Sequence, residues 1–172
     1  MLRPTLAALL LVATAAQAAP PDFSALETQE RAIAETWARL PYAARNAQFV
    51  SRKAEVYGDY QPRASNVFAP GEKLLSYLEP VGYGYKPSGT DTHAFGVTVD
   101  FEILSPDGKV LAGQKKLLEQ SMTSRFKNRE FFINLTMSID GAPAGSYILA
   151  YIMTDAATGK TTRVEQPFTI KG

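Results

Sequence analysis

The chain of 172 residues contains no cysteine. That excludes a disulfide framework, a thiol nucleophile, a cysteine-based metal site and a lipid-bearing cysteine. Histidine and tryptophan occur once each, as His93 and Trp37. One imidazole without cysteine leaves only carboxylates to complete a zinc site, so no metal and no cofactor is expected. No G-x-S-x-G elbow is present either. His93, with Asp91 two residues before it, therefore has no recognisable serine partner and reads as a histidine at the start of a strand.

Charge of one sign is also lacking: 18 basic residues face 17 acidic ones. Such a balance gives nucleic acid or anionic lipid no overall attraction, and no nucleic-acid partner is expected. Long apolar runs are few. Leu6 to Ala16 is broken only by Thr14, and Ile148 to Met153 spans six residues. Neither approaches the roughly 20 residues of a membrane-crossing helix, so no transmembrane segment is expected in the mature chain.

The first run has a different use. Met1-Leu2-Arg3-Pro4 carries one positive charge, Leu6 to Ala16 is apolar, and Ala16-Gln17-Ala18 supplies small residues. This is the three-part pattern of a cleavable secretory signal over residues 1–18. Removing 18 of 172 residues leaves 154, takes Arg3 away and leaves 17 charges of each sign. The mature chain is expected in a bacterial periplasm or secreted. Residues 19–47 read as a stub and an amphipathic helix, and 48–172 as one β domain.

For the helix, Ser24 and Glu27 form an S-x-x-E capping box. Leu26, Ile33, Trp37 and Leu40 fall on one stripe at 100° per residue, expected to pack on the domain. Glu27 with Arg31 and Glu35 with Arg39 are favourable i,i+4 pairs, and Pro41 ends the helix. Beyond it the period becomes two. Strands are expected at 48–54, 72–79, 93–104, 109–116, 129–139, 146–154 and 161–170. The clearest is His93–Leu104, with Phe95, Val97, Val99, Phe101 and Ile103 on one face. Ser105-Pro106-Asp107-Gly108 supplies a turn, since proline presets φ and glycine accepts φ > 0. About seven strands split by turn signals predict an all-β, antiparallel β-sandwich.

Gly145-Ser146-Tyr147-Ile148-Leu149 resembles the tyrosine corner of immunoglobulin-like and fibronectin-like domains. Leu149 stands where a true immunoglobulin domain has its second cysteine. The resemblance covers residues 48–171 and implies an Ig-like sandwich with no particular activity. Tyr60-Gln61-Pro62-Arg63 through Pro80-Val81-Gly82-Tyr83 is similar to exported bacterial proteins and implies no activity either.

Five of the eight tyrosines lie within 57–85. Tyrosine joins a broad apolar ring to a polar tip and suits recognition surfaces. Tyr57, Tyr60, Arg63, Tyr83 and Tyr85 are accordingly the candidate ligand-binding residues, with packing of a long loop as the competing use. Lys115, Lys116, Arg125, Lys127 and Arg129 gather around a loop expected at 120–128. They read either as solvated edge protection or as a patch for anionic envelope polymers. Asp100 and Glu102 share a strand face as any solvated pair would, and no catalytic residue is assigned. Asn134-Leu135-Thr136 matches a glycosylation sequon by chance. The expected function is a non-enzymatic binding or interaction module of the bacterial cell envelope, its partner an envelope protein or polysaccharide. A small carboxylate hydrolase or a purely structural envelope protein are the alternatives.

Overall fold

The computed structural model describes residues 22–172. The expected signal peptide and the stub up to residue 21 lie outside the described residues. The fold is mostly β, with one helix, α1 (Phe23–Arg39), and nine strands among the described residues. The strands are β1 (Ala43–Phe49), β2 (Val67–Phe68), β3 (Leu74–Val81), β4 (Lys86–Pro87), β5 (His93–Leu104), β6 (Val110–Ser124), β7 (Ile133–Met137), β8 (Gly145–Asp155) and β9 (Thr161–Ile170). One sheet runs β1-β3-β7; the other runs β2-β9-β8-β5-β4, with β6 paired along β5. Every pairing is antiparallel except β2 with β9.

Both sheets supply one core. Leu74, Leu78, Ile133 and Leu135 come from the first; Phe95, Val97, Val99, Leu149, Tyr151, Met153 and Phe168 come from the second. The alternation of β5 explains this face, since residues two apart point the same way. A short polar chain crosses the core. Ser76 donates to Gln166 Oε1 at 2.7 Å and accepts from Tyr151 at 3.1 Å, so a hydrogen-bonded chain joins the two sheets.

Four expectations change. Strand β1 lies at 43–49, not at 48–54, because pairing with β3 outweighs the weak propensity of Ala-Arg-Asn-Ala-Gln. Strand β6 continues to Ser124 and consumes half of the loop expected at 120–128. It does so across a bulge at Lys115–Leu117, where Asp100 accepts the Lys116 N–H at 2.7 Å and the Lys115 ammonium at 2.9 Å. The helix is capped by Asp22, whose carboxylate accepts from Ala25 N–H at 3.0 Å and from the Ser24 hydroxyl at 2.7 Å. Ser24 is thus inside the first turn and forms no capping box. Finally, the apolar stripe of α1 is mostly uncovered. Phe23 is 84% exposed, Leu26 52% and Ile33 48%. Trp37 and Leu40, near the helix end, have domain against them. The two expected i,i+4 ion pairs do not close among the described residues.

Candidate functional site

The candidate residues part into three places. The first is built on Glu79, a side chain only 3% exposed on β3. Its Oε1 accepts from the Tyr77 hydroxyl at 2.9 Å. Its Oε2 accepts from Arg45 Nε at 2.9 Å, Asn46 Nδ2 at 3.0 Å and the Tyr57 hydroxyl at 3.1 Å. Burial pushes this carboxyl up, yet the four donors outweigh it and hold it below the usual glutamate range. A carboxylate that accepts four hydrogen bonds is a structural tie, poorly placed to take a proton from a ligand. Tyr60 packs its ring on Tyr77 at 4.5 Å, and Tyr77 stacks on Phe132 at 5.7 Å. Asn134 holds the same loop, its amide bonded to both Ala54 N–H and Ala54 C=O at 3.0 and 2.9 Å. The sequon asparagine is therefore engaged inside the fold, its side-chain oxygen and nitrogen each bonded to Ala54.

The second place is Arg63. It pairs with Glu72 at 2.7 Å, donates to the Ser65 and Val67 carbonyls at 2.9 Å each, and lies over the Phe68 ring at 4.3 Å. None of its recorded partners is a tyrosine. Asp100 and Glu102 are likewise engaged, Glu102 by Arg163 at 2.8 Å.

The third place brings Tyr83 and Tyr85 together with residues far away in sequence. The turn after β3 needs Gly82, whose φ is +69° and where a Cβ would lie 2.3 Å from the Pro41 carbonyl oxygen. That close pass sets the end of α1 against the Tyr83 segment. Trp37 Nε1 donates to the Tyr83 carbonyl at 2.9 Å, and the two rings meet edge to face at 5.1 Å. Tyr83 is buried against Phe95 and Phe131. Both tyrosine hydroxyls donate to the Asn128 carbonyl, Tyr83 at 2.8 Å. Burial raises both phenols above their ordinary value, so they stay neutral donors. These bonds pin the 125–129 loop beside the helix. On the opposite wall, buried Asp155 accepts from Gly84 N–H at 2.9 Å and Ala157 N–H at 3.0 Å and fixes the β8–β9 turn.

Between these walls is a cleft of about 320 Å³, lined by Trp37, Tyr83, Tyr85, Lys127, Arg129 and Lys160. Lys127 sits over the Tyr85 ring, its Nζ 6.0 Å from the centroid. Among the described residues none of these three cations has a carboxylate partner within 4 Å, whereas Arg45, Arg52, Arg63, Lys115, Lys116 and Arg163 all do. Two candidates from the sequence, Tyr83 and Tyr85, belong to this cleft; Tyr57, Tyr60 and Arg63 do not line it. Trp37 and Lys160 carried no signal of their own, since the cleft joins residues from four separate stretches of chain. Lys127 and Arg129 were legible as part of a basic patch, but Lys115 and Lys116 of that patch sit elsewhere, on the β6 bulge. No group of three or more potential metal ligands occurs among the described residues, and none of their helices is long and apolar enough to cross a membrane.

No protein-family model and no curated protein matches the chain. Among solved structures the chain is similar to the alkylpurine DNA glycosylase AlkC of Pseudomonas fluorescens, bound to DNA containing an abasic-site analogue. Identity is 14%, the TM-score is 0.42, and the match covers 86% of this chain and 37% of the glycosylase. This finding corrects two expectations. The cell-envelope module, with its hydrolase and structural alternatives, is not carried forward, nor is the expectation of an envelope partner and no nucleic acid. The physical weakness of that exclusion is visible in the fold. A whole-chain balance of charge averages over the surface and misses three uncompensated cations gathered in one cleft.

Proposed function

We propose that this domain binds anions that carry a flat ring, in the cleft between the end of α1, the Tyr83–Tyr85 segment and the 125–129 loop. Nucleotides are the ligand class with that chemistry. One observation carries the proposal: Lys127, Arg129 and Lys160 line an aromatic-walled cavity with no acidic partner among the described residues. Other cations, among them Lys53, Lys73, Lys109 and Arg125, also lack an ion pair among the described residues, so what singles out this cleft is three unpaired cations lining one aromatic-walled cavity. Cations bind the anionic group, while the Trp37 and Tyr85 rings offer apolar and stacking surface. A cavity of about 320 Å³ is at the small end of ligand sites, which suits one ring and one anionic group.

Two finer readings accompany the proposal. The fold is read as an Ig-like sandwich, supported by the Tyr147 hydroxyl donating to the Pro143 carbonyl at 2.8 Å and by a fully buried Leu149. The protein is read as exported, supported by the signal pattern of residues 1–18.

Calorimetry with adenosine 5′-monophosphate, adenosine and inorganic phosphate tests the binding proposal. Saturable binding of the monophosphate, weaker binding of both fragments, and loss in Lys127→Ala/Arg129→Ala are expected. Equal affinity of wild type and double variant would overturn it.

A further inference from the structure

The cleft adjoins a second cavity of about 840 Å³, and the two share Ala34, Lys127 and Arg129 as lining residues. The outer cavity adds Arg31, Asn128 and Phe126. Phe126 is 76% exposed and has no aromatic neighbour among the described residues. Its loop is nevertheless held in place. Ser124 Oγ accepts the Phe126 N–H at 3.1 Å, the Phe126 carbonyl accepts from Asn128 N–H at 2.9 Å, and the Asn128 carbonyl takes two tyrosine hydroxyls. A fixed backbone thus presents an unburied ring between Arg125 and Lys127. Folding alone gives no reason for it.

We propose that the occupant of both cavities together is single-stranded nucleic acid, an inference that rests on the anion-and-ring reading of the inner cleft. One base lies against the Trp37–Tyr85 wall and a following base stacks on Phe126. Lys127 and Arg129, common to both cavities, meet the phosphate between them. Aromatic platforms along a cationic track are the physical requirement for a strand whose bases are unstacked. The outer cavity also holds Glu27, Glu30 and Glu130. Glu27 and Glu30 come from α1 together with Arg31, and Glu130 follows Arg129 on the other wall, so each wall carries both signs. The phosphate is placed at Lys127 and Arg129, the cations common to both cavities, and base edges at Glu27 and Glu30, where carboxylates accept from exocyclic amines such as cytosine N4. A duplex offers neither free base faces nor free edges to this arrangement. An acidic peptide would satisfy the cations but not the carboxylates.

The test measures quenching of Trp37, the single tryptophan, by adenosine monophosphate, a single-stranded eight-nucleotide dC oligomer, the corresponding dG–dC duplex and poly-glutamate. The oligomer is expected to bind at least tenfold more tightly than the monophosphate. Phe126→Ala should remove most of that gain, leave monophosphate affinity unchanged and leave the melting temperature unchanged. Lys127→Ala should weaken both ligands and reduce the log–log salt slope of the oligomer by about 0.7, the value for one single-strand phosphate contact. Monophosphate binding with no gain for the oligomer, or a Phe126→Ala loss shared by both ligands, overturns this inference and leaves the inner cleft standing. Duplex or poly-glutamate binding as tight as the oligomer overturns it as well. Absence of binding by every probe overturns both.

Discussion

Replacing Glu79 by glutamine tests how the tyrosine-rich segment is held. The substitution keeps volume and shape but removes the charge. The amide oxygen can take the place of Oε2 and keep bonds from Arg45, Asn46 and Tyr57, while its NH₂ meets the Tyr77 hydroxyl, which can turn to accept. The bonds with Asn46, Tyr57 and Tyr77 then become neutral, while the guanidinium keeps the Arg45 bond charge-assisted. Bonds to a charged group contribute about 1.5–3 kcal/mol against about 0.5–1.5 for neutral ones, a loss of about 1 kcal/mol each. The Arg45 side chain is 55% exposed, so its share is cut by solvent screening. The expected cost is about 2–3 kcal/mol, or a fall of about 4–12 °C in melting temperature for a domain of this size. The pH dependence has a fixed sign. The folded carboxyl titrates below its ordinary value, so its contribution is complete above that ordinary value and is lost as pH falls through the lowered one. Urea melts of wild type and Glu79→Gln, run from pH 7 down to pH 3, should therefore show a gap that narrows towards the acid end. A variant as stable as wild type at pH 7, or a gap that does not change with pH, would refute the account of Glu79 as the tie.

Three further outcomes are expected. Gly96→Ala should destabilise by about 1–3 kcal/mol, the usual overpacking cost, because its Cβ would lie 2.2 Å from the Gln120 carbonyl oxygen of the neighbouring strand; equilibrium unfolding reads this directly. Tyr147→Phe should lose about 0.5–1.5 kcal/mol, the worth of its single bond to Pro143, while keeping the ring stacked on Phe168 at 5.5 Å. Intact mass and N-terminal sequencing of the exported protein should find Ala19 first, and a membrane-held full-length chain would contradict the signal reading.

Strands with strict alternation were legible from residues alone. His93–Leu104 and Thr161–Ile170 have the expected bounds, since five same-face apolar residues in one case and a turn on the inner side in the other leave little choice of register. Strand β1 was misplaced because its alanines and polar residues give no alternation, and only the edge of β3 selects them. The stripe on α1 shows the converse. Leu26 and Ile33 have helical spacing but no domain to cover them, and spacing cannot tell a helix that packs from one that stands free. In the candidate surface, sequence proximity joined Tyr57 and Tyr60 to Tyr83 and Tyr85. Between them β3 carries the chain from the Glu79 tie to the far cleft, and only the fold could bring Trp37, Lys127, Arg129 and Lys160 to the second pair.

The most direct test of the cleft uses its own reporter. Trp37 is the only tryptophan, and its indole N–H donates to the Tyr83 carbonyl in the cleft wall. In a ¹⁵N-edited NMR spectrum it gives one isolated indole signal. Titration with adenosine 5′-monophosphate should shift that signal saturably in the wild type and leave it in place in Lys127→Ala/Arg129→Ala. A signal that stays fixed in the wild type at millimolar ligand, or that moves equally in both proteins, would contradict a cation-anchored site at this cleft.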